Sequence, residues 1–141
     1  MQLQYDITHF GQYYSDQLSH YRALYFLTQN EYSTLNNLNC IPHFICECTH
    51  LYEYLNEQNK PESILLSLND TYADVIMIHK QELVLVNRIQ HIDNVDILYQ
   101  LLNFVKQFGL TEPTVYVHYF YHSNLKLNDL LGQSFPNLIL L

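Results

Sequence analysis

From Ser63 to the end of the chain, the apolar and polar positions alternate in a legible order. Ser63–Leu68 (Ser-Ile-Leu-Leu-Ser-Leu) is a short apolar run of strand length. Asn69-Asp70-Thr71 carries turn chemistry, and Tyr72–His79 reads as a second strand. Lys80-Gln81 is a tight reversal into a third strand, Glu82–His91. There, Leu83, Leu85 and Asn87 are expected on one face, with Val84, Val86 and Arg88 on the other. Turns this short predict an antiparallel meander.

The period then changes. Asp93 opens a helix in which Val95, Leu98, Leu101, Leu102, Val105 and Phe108 recur every three or four residues. Gly109 sits where a left-handed cap is expected. Thr114–Tyr121 is apolar on both faces, as a covered central strand should be. A short helix from about Asn124 to Leu131 should close at Gly132, and Asn137–Leu141 is the last strand. The strand after the long helix should run parallel to the first strand of the meander. Right-handed crossovers then give the order 3-2-1-4-5. This is an α/β, ribonuclease-H-like mixed sheet with helices on both faces, the topology of one lobe of an actin-like ATPase.

Upstream the pattern is weaker. Residues 1–19 are polar and rich in Tyr and Gln. Arg22–Leu27 reads as a strand, and Thr28 with Glu31 fits a capping box, with Tyr32, Leu35 and Leu38 turned inward on the helix it opens. Ile41–Cys48 reads as another strand and Thr49 as the cap of a helix running to Asn59, packed through Leu51, Tyr54 and Leu55. Lys60-Pro61 ends it. The chain thus divides into an N-terminal α/β segment, 1–62, and a ribonuclease-H-like lobe, 63–141. The first segment is a linker or the remnant of another lobe.

Composition narrows the function classes. Hydrophobic residues make up 48% and charged residues 14%, which is a globular balance. Six basic residues against 14 acidic ones give −8, which disfavours a nucleic-acid backbone as partner. No apolar run is near the ~18 residues of a membrane span. The first residues lack the basic and apolar regions of a signal peptide. With three cysteines, an odd number, reduced thiols and a cytoplasmic location are expected.

The stretch from Ile64 to Asn87, continued by Ile92–Leu102, resembles the DUF3822 family of uncharacterised bacterial proteins, found mainly in Bacteroidota. Leu24–Leu27, Leu35 and His50–Leu55 also look like that family, so the resemblance covers roughly residues 20–141. It implies an actin-like ATPase fold, normally of two lobes with a cleft between them. This chain looks like little more than one lobe, and the family supplies no catalytic residues to carry over.

Candidate chemistry is sparse. Actin-like ATPases hold phosphate in the hairpin after the first strand, where glycine admits backbone N–H groups. Here that loop offers Asn69, Asp70 and Thr71 as the cofactor-binding candidates, with no glycine. The only glycines are Gly11, Gly109 and Gly132, and the last two read as helix caps. A nuclease needs clustered carboxylates for two metals. Asp70, Asp74, Asp96 and Asp129 are scattered, and the first strand carries Ser67 and Leu68 at its centre. Cys40, His43, Cys46, Cys48 and His50 are the metal-ligand candidates, yet they form no Cys-x-x-Cys knuckle, and core packing is the simpler reading. His118 and His122 are expected on one strand face with Phe120 between them. The expectation is a non-catalytic interaction or scaffold module with no cofactor, partnered by a second copy or another protein. The alternative is a nucleotide-binding, sugar-kinase-like protein with an atypical phosphate loop.

Overall fold

The computed structural model describes residues 11–18, 20–37, 47–90 and 93–141. They fall in two compact units, Met1–His50 and Leu51–Leu141.

In the first unit, β1 (Gly11–Leu18) and β2 (Tyr21–Thr28) pair antiparallel, from Gly11↔Thr28 to Leu18↔Tyr21. β1 lies in a stretch expected to be weakly patterned. A strand whose hydrogen bonds come from its neighbour needs little amphipathic signal of its own. Helix α1 (Gln29–Asn36) opens with the predicted capping box. The Glu31 N–H donates to Thr28 Oγ1 at 3.3 Å, and the Thr28 N–H donates to Glu31 Oε2 at 2.8 Å. The Thr28 backbone and side-chain donors hold the Glu31 carboxyl below its ordinary pKa. Of the residues expected inward on α1, Leu38 lies outside the described residues.

Helix α2 spans Glu47–Glu57. Residues 41–46 of the expected strand lie outside the described residues, and Cys48 is helical. Thr49 is buried within α2 instead of capping it. The helix stops before Lys60-Pro61, and Asn59 turns left-handed at φ 51°.

The second unit is built on β3 (Glu62–Leu68), β4 (Tyr72–His79), β5 (Glu82–Gln90), β6 (Thr114–Tyr119) and β7 (Leu138–Leu140). The sheet order is β5-β4-β3-β6-β7. Counted from the first strand of the meander, that is 3-2-1-4-5. β3, β4 and β5 are antiparallel neighbours, while β6 runs parallel to both β3 and β7. Helices α3 (Asn94–Phe108) and α4 (Leu125–Ser134) connect β5 to β6 and β6 to β7.

One sheet face carries the main core. Ile64, Leu66, Val75, Met77, Val115 and Val117 are buried there against Ile97 and Leu101 of α3 and Leu127 and Leu131 of α4. On the other face lie Leu65, Ile76 and Tyr116, with the Tyr54 ring of α2 edge-on to Tyr116 at 5.9 Å. Burial, with the Tyr54 hydroxyl adding to it, raises the Tyr116 pKa. Six of the seven residues of β3 are buried, so the strand is dry on both sides, in keeping with its mostly apolar run.

Two details depart from the sequence pattern. A bulge pairs Ile78 with Leu83 but Met77 with Leu85. The extra residue, Val84, shifts the alternation, so Leu83 and Leu85 face opposite sides instead of the same one. On α3, Ile97 and Leu101 are buried, and Val95 and Leu102 are 61% and 41% exposed. The inward side is thus Ile97, Leu98, Leu101, Phe104, Val105 and Phe108: four of the six expected positions hold, and Ile97 and Phe104 stand in place of Val95 and Leu102.

Local signals end the elements. Asp93 caps α3, accepting from the N–H groups of Val95 and Asp96 at 2.8 and 3.0 Å. Gly109 takes φ 68° beyond its end. Gly132, by contrast, lies inside α4, which runs on to Ser134 and is capped at Phe135. The β4–β5 turn holds Lys80 and Gln81 at φ 53° and 66°, as a type I′ turn requires. Neither residue favours that region, so Gln81→Gly should raise stability by about 1 kcal/mol. The midpoint of a urea transition at constant slope measures it.

Candidate functional site

Parallel strands β3 and β6 end side by side, with Leu68 paired to Tyr119. The chain leaves β3 for the β3–β4 hairpin and leaves β6 for α4. In open α/β sheets, such carboxyl-end crevices are where ligands bind. Leu68, Asn69, Asp70, Asn94, Tyr119 and Asn124 line a cavity there of about 160 Å³, together with Ile97, Tyr121, His122 and Leu127. Ligand pockets are usually about 300–1,000 Å³.

The polar groups of this cavity are largely engaged with one another. The Asn69 Nδ2 donates to the Tyr72 hydroxyl at 2.9 Å, and its Oδ1 accepts from the Asp70 N–H at 2.7 Å. The hairpin is thus held by the Asn69 side chain, which accepts from the next backbone N–H and is braced by the Tyr72 hydroxyl. Asn94 and Asn124 form a reciprocal amide pair: the Asn124 Nδ2 donates to Asn94 Oδ1 at 2.8 Å, and the Asn94 Nδ2 donates back at 3.3 Å. Asn124 also caps α4, its Oδ1 accepting from the Leu127 N–H at 3.1 Å. The pair therefore ties the start of α3 to the start of α4. The Tyr119 hydroxyl donates to Asn128 Oδ1, and burial raises its pKa against the opposing contact with the Asn124 carbonyl.

The candidate residues of the sequence separate. Asn69 and Asp70 line the cavity, and Thr71 is exposed on the hairpin beside them. Cys40, His43 and Cys46 lie outside the described residues. Cys48 and His50 sit two residues apart on α2, a spacing that points side chains to different sides of a helix. Among the described residues no cluster of His, Cys, Asp and Glu could hold a metal ion. His118 and His122 do not share a strand face, because β6 ends at Tyr119. His118 packs edge-on to Phe120 at 5.1 Å, while His122 turns to the cavity.

Sequence reasoning missed the asparagine pair. Its signal was available: two asparagines at helix starts, after β5 and β6, in a topology that brings those starts together.

A polar row crosses the opposite sheet face. Arg88 of β5 makes a two-pronged ion pair with Asp74 of β4 at 2.7 and 2.8 Å, and its guanidinium lies 3.9 Å from the centre of the Tyr72 ring. Next in register come Ser67 of β3 and His118 of β6, with Ser67 Oγ 3.3 Å from His118 Nδ1. Ser67 is fully buried, which denies a substrate access to a serine–histidine couple. The row is buried at Ser67 and opens to solvent at Arg88, whose side chain is exposed.

At the other end of β3, Glu62 clamps the α3–β6 loop. Its Oε2 accepts from the N–H groups of Thr111 and Glu112 at 2.9 and 3.1 Å. Burial works to raise its pKa, but those donors, His79 and the Thr111 hydroxyl together hold it below the ordinary value. A depressed folded pKa adds stability above the unfolded value of about 4.3 and loses it as pH falls through the folded one. Wild-type stability should therefore drop as pH goes from about 5 to 3. The Glu62→Gln variant should be less stable at pH 7 by about 1 kcal/mol and lose less over that interval. Urea melts at a series of pH values test this.

Among the described residues no helix is long and apolar enough to cross a membrane. No protein-family model matches the chain, and no curated protein matches it in sequence. A solved structure from Bacteroides thetaiotaomicron VPI-5482, described as a protein with actin-like ATPase fold and unknown function, superposes with a TM-score of 0.75 at 16% identity. The fold is actin-like. The superposition covers 98% of this chain and 56% of that one, so the chain spans little more than half the neighbour's length. Likeness at that identity extends to architecture and not to activity.

Proposed function

We propose that this chain is a non-catalytic, cytoplasmic protein-interaction module on a degenerate actin-like, ribonuclease-H-like lobe, akin to the DUF3822 proteins of Bacteroidota. The observation that carries this reading is the hairpin at the carboxyl end of β3. Its Asn69 side chain is spent on the turn itself, bonded to the Tyr72 hydroxyl and to the Asp70 backbone N–H. It has no glycine to bring backbone donors against phosphate. The acidic balance of −8 further disfavours a triphosphate.

A second reading, a nucleotide-binding or sugar-kinase-like protein, is favoured by the position of the cavity at the strand ends beside the starts of α3 and α4. Calorimetric titration with ATP and Mg²⁺ separates the two. The interaction module gives no saturable heat, and the nucleotide protein gives a stoichiometric isotherm.

A further inference from the structure

We propose that the solvent face of α3 is the seam of a symmetric homodimer, occupied by a second copy of this chain packed antiparallel along it. The inference rests on the interaction-module reading and names its partner. While α3 buries Ile97 and Leu101, it turns Val95, Tyr99 and Leu102 outward at 61%, 66% and 41% exposure. Spacings of four and three put these on one stripe, which the exposed Lys106 continues. Helix propensity gives no reason for them, since Glu, Lys and Gln serve an exposed helix better than Val or Tyr. A line of apolar side chains on the outside of a helix marks an interface.

Charge chooses the occupant. The stripe starts beside Asp93 and Asp96 and ends at Lys106, one of only six basic residues in the chain. Acid at one end and base at the other complement a copy of the same face when the two helices run in opposite directions. A two-fold axis between Tyr99 and Leu102 then sets Tyr99 of each copy against Leu102 of the other. It brings each Lys106 to the acidic start of the facing helix, twice by symmetry. Antiparallel helix dipoles favour the same arrangement. A helix of 15 residues is about 22 Å long. A seam of that length falls at the small end of specific interfaces, below about 1,200 Å², so the dimer forms at micromolar concentrations.

Sedimentation equilibrium of the full chain, from about 10 µM to about 1 mM, is the test. The wild type should dimerise, and more weakly at high salt. Leu102→Glu should be monomeric with an unchanged circular dichroism spectrum. Lys106→Glu, a surface change, should weaken association about tenfold or more. Val86→Glu, on the sheet-edge strand β5, should dimerise like the wild type. Any of three results would overturn the inference: a wild type monomeric throughout, a dimer that survives Leu102→Glu, or one abolished by Val86→Glu alone. A monomer that ignores ATP sinks only this seam, whereas a nucleotide isotherm sinks the reading beneath it.

Discussion

Leu66→Ala should destabilise the chain by about 2–5 kcal/mol, enough to remove much of the stability of a small domain. Leu66 lies in the centre of β3, fully buried, on the face shared with α3 and α4. Its neighbours in register are Val75 of β4 and Val117 of β6, both also fully buried. The strand is held on both sides by pairing, so the backbone cannot move in to fill the space. The cost therefore includes a cavity as well as lost transfer energy. The control is Val86→Ala on edge strand β5, where the side chain is 46% exposed and the change should stay within about 0.5 kcal/mol. Urea unfolding at constant slope measures both; a loss under ~1 kcal/mol at Leu66 would mean that this core is loosely packed.

Asn124→Ala should cost about 2–3 kcal/mol, large for a polar residue near the surface. Two effects add. The first is loss of the α4 cap to the Leu127 N–H, worth about 1 kcal/mol. The second is that half-buried Asn94 loses its reciprocal partner, at about 1–2 kcal/mol. Asn124→Asp removes half of the pair, because a carboxylate still caps α4 and still accepts from the Asn94 amide but has none to donate to Asn94 Oδ1. It should cost about 1 kcal/mol. Hydrogen exchange should show both helix starts loosening together in Asn124→Ala. Loosening of α4 alone would show that the pair does not couple the helices.

These two residues also show what could be read from the chain. The run around Leu66 needs no tertiary information, since a strand with apolar residues on both faces has to be covered on both. The turns and caps at Asn69–Thr71, Lys80-Gln81, Asp93 and Gly109 are equally local. From them follow the meander, the long helix and the sheet order. Where the reading failed, the cause was pairing or context. Val84 is an ordinary strand residue until the register with β4 makes it a bulge. β1 has little pattern of its own and takes its strand from β2. Gly132 reads as a cap, but α4 continues to Ser134 and stops at Phe135, whose buried ring anchors the turn into β7. Val95 and Leu102 fit an inward stripe as well as Ile97 does, and only packing on the sheet decides which side is wet.

The candidate site was legible in part. Asn69 and Asp70 were found as loop residues, but their engagement in the turn depends on Tyr72. The link between Asn94 and Asn124 spans 30 residues and emerges only once β3 and β6 lie side by side. The Glu62 clamp on Thr111 and Glu112 is long-range in the same way.

The hairpin after β3 is expected not to grip a nucleotide. Amide ¹H–¹⁵N spectra of the full chain recorded with ATP and Mg²⁺ at about 5 mM, well above the weakest specific affinities, test it at the residues concerned. The amides of Asn69, Asp70, Thr71, His122 and Asn124 should stay where they are. Saturable shifts centred on those five amides would contradict that expectation.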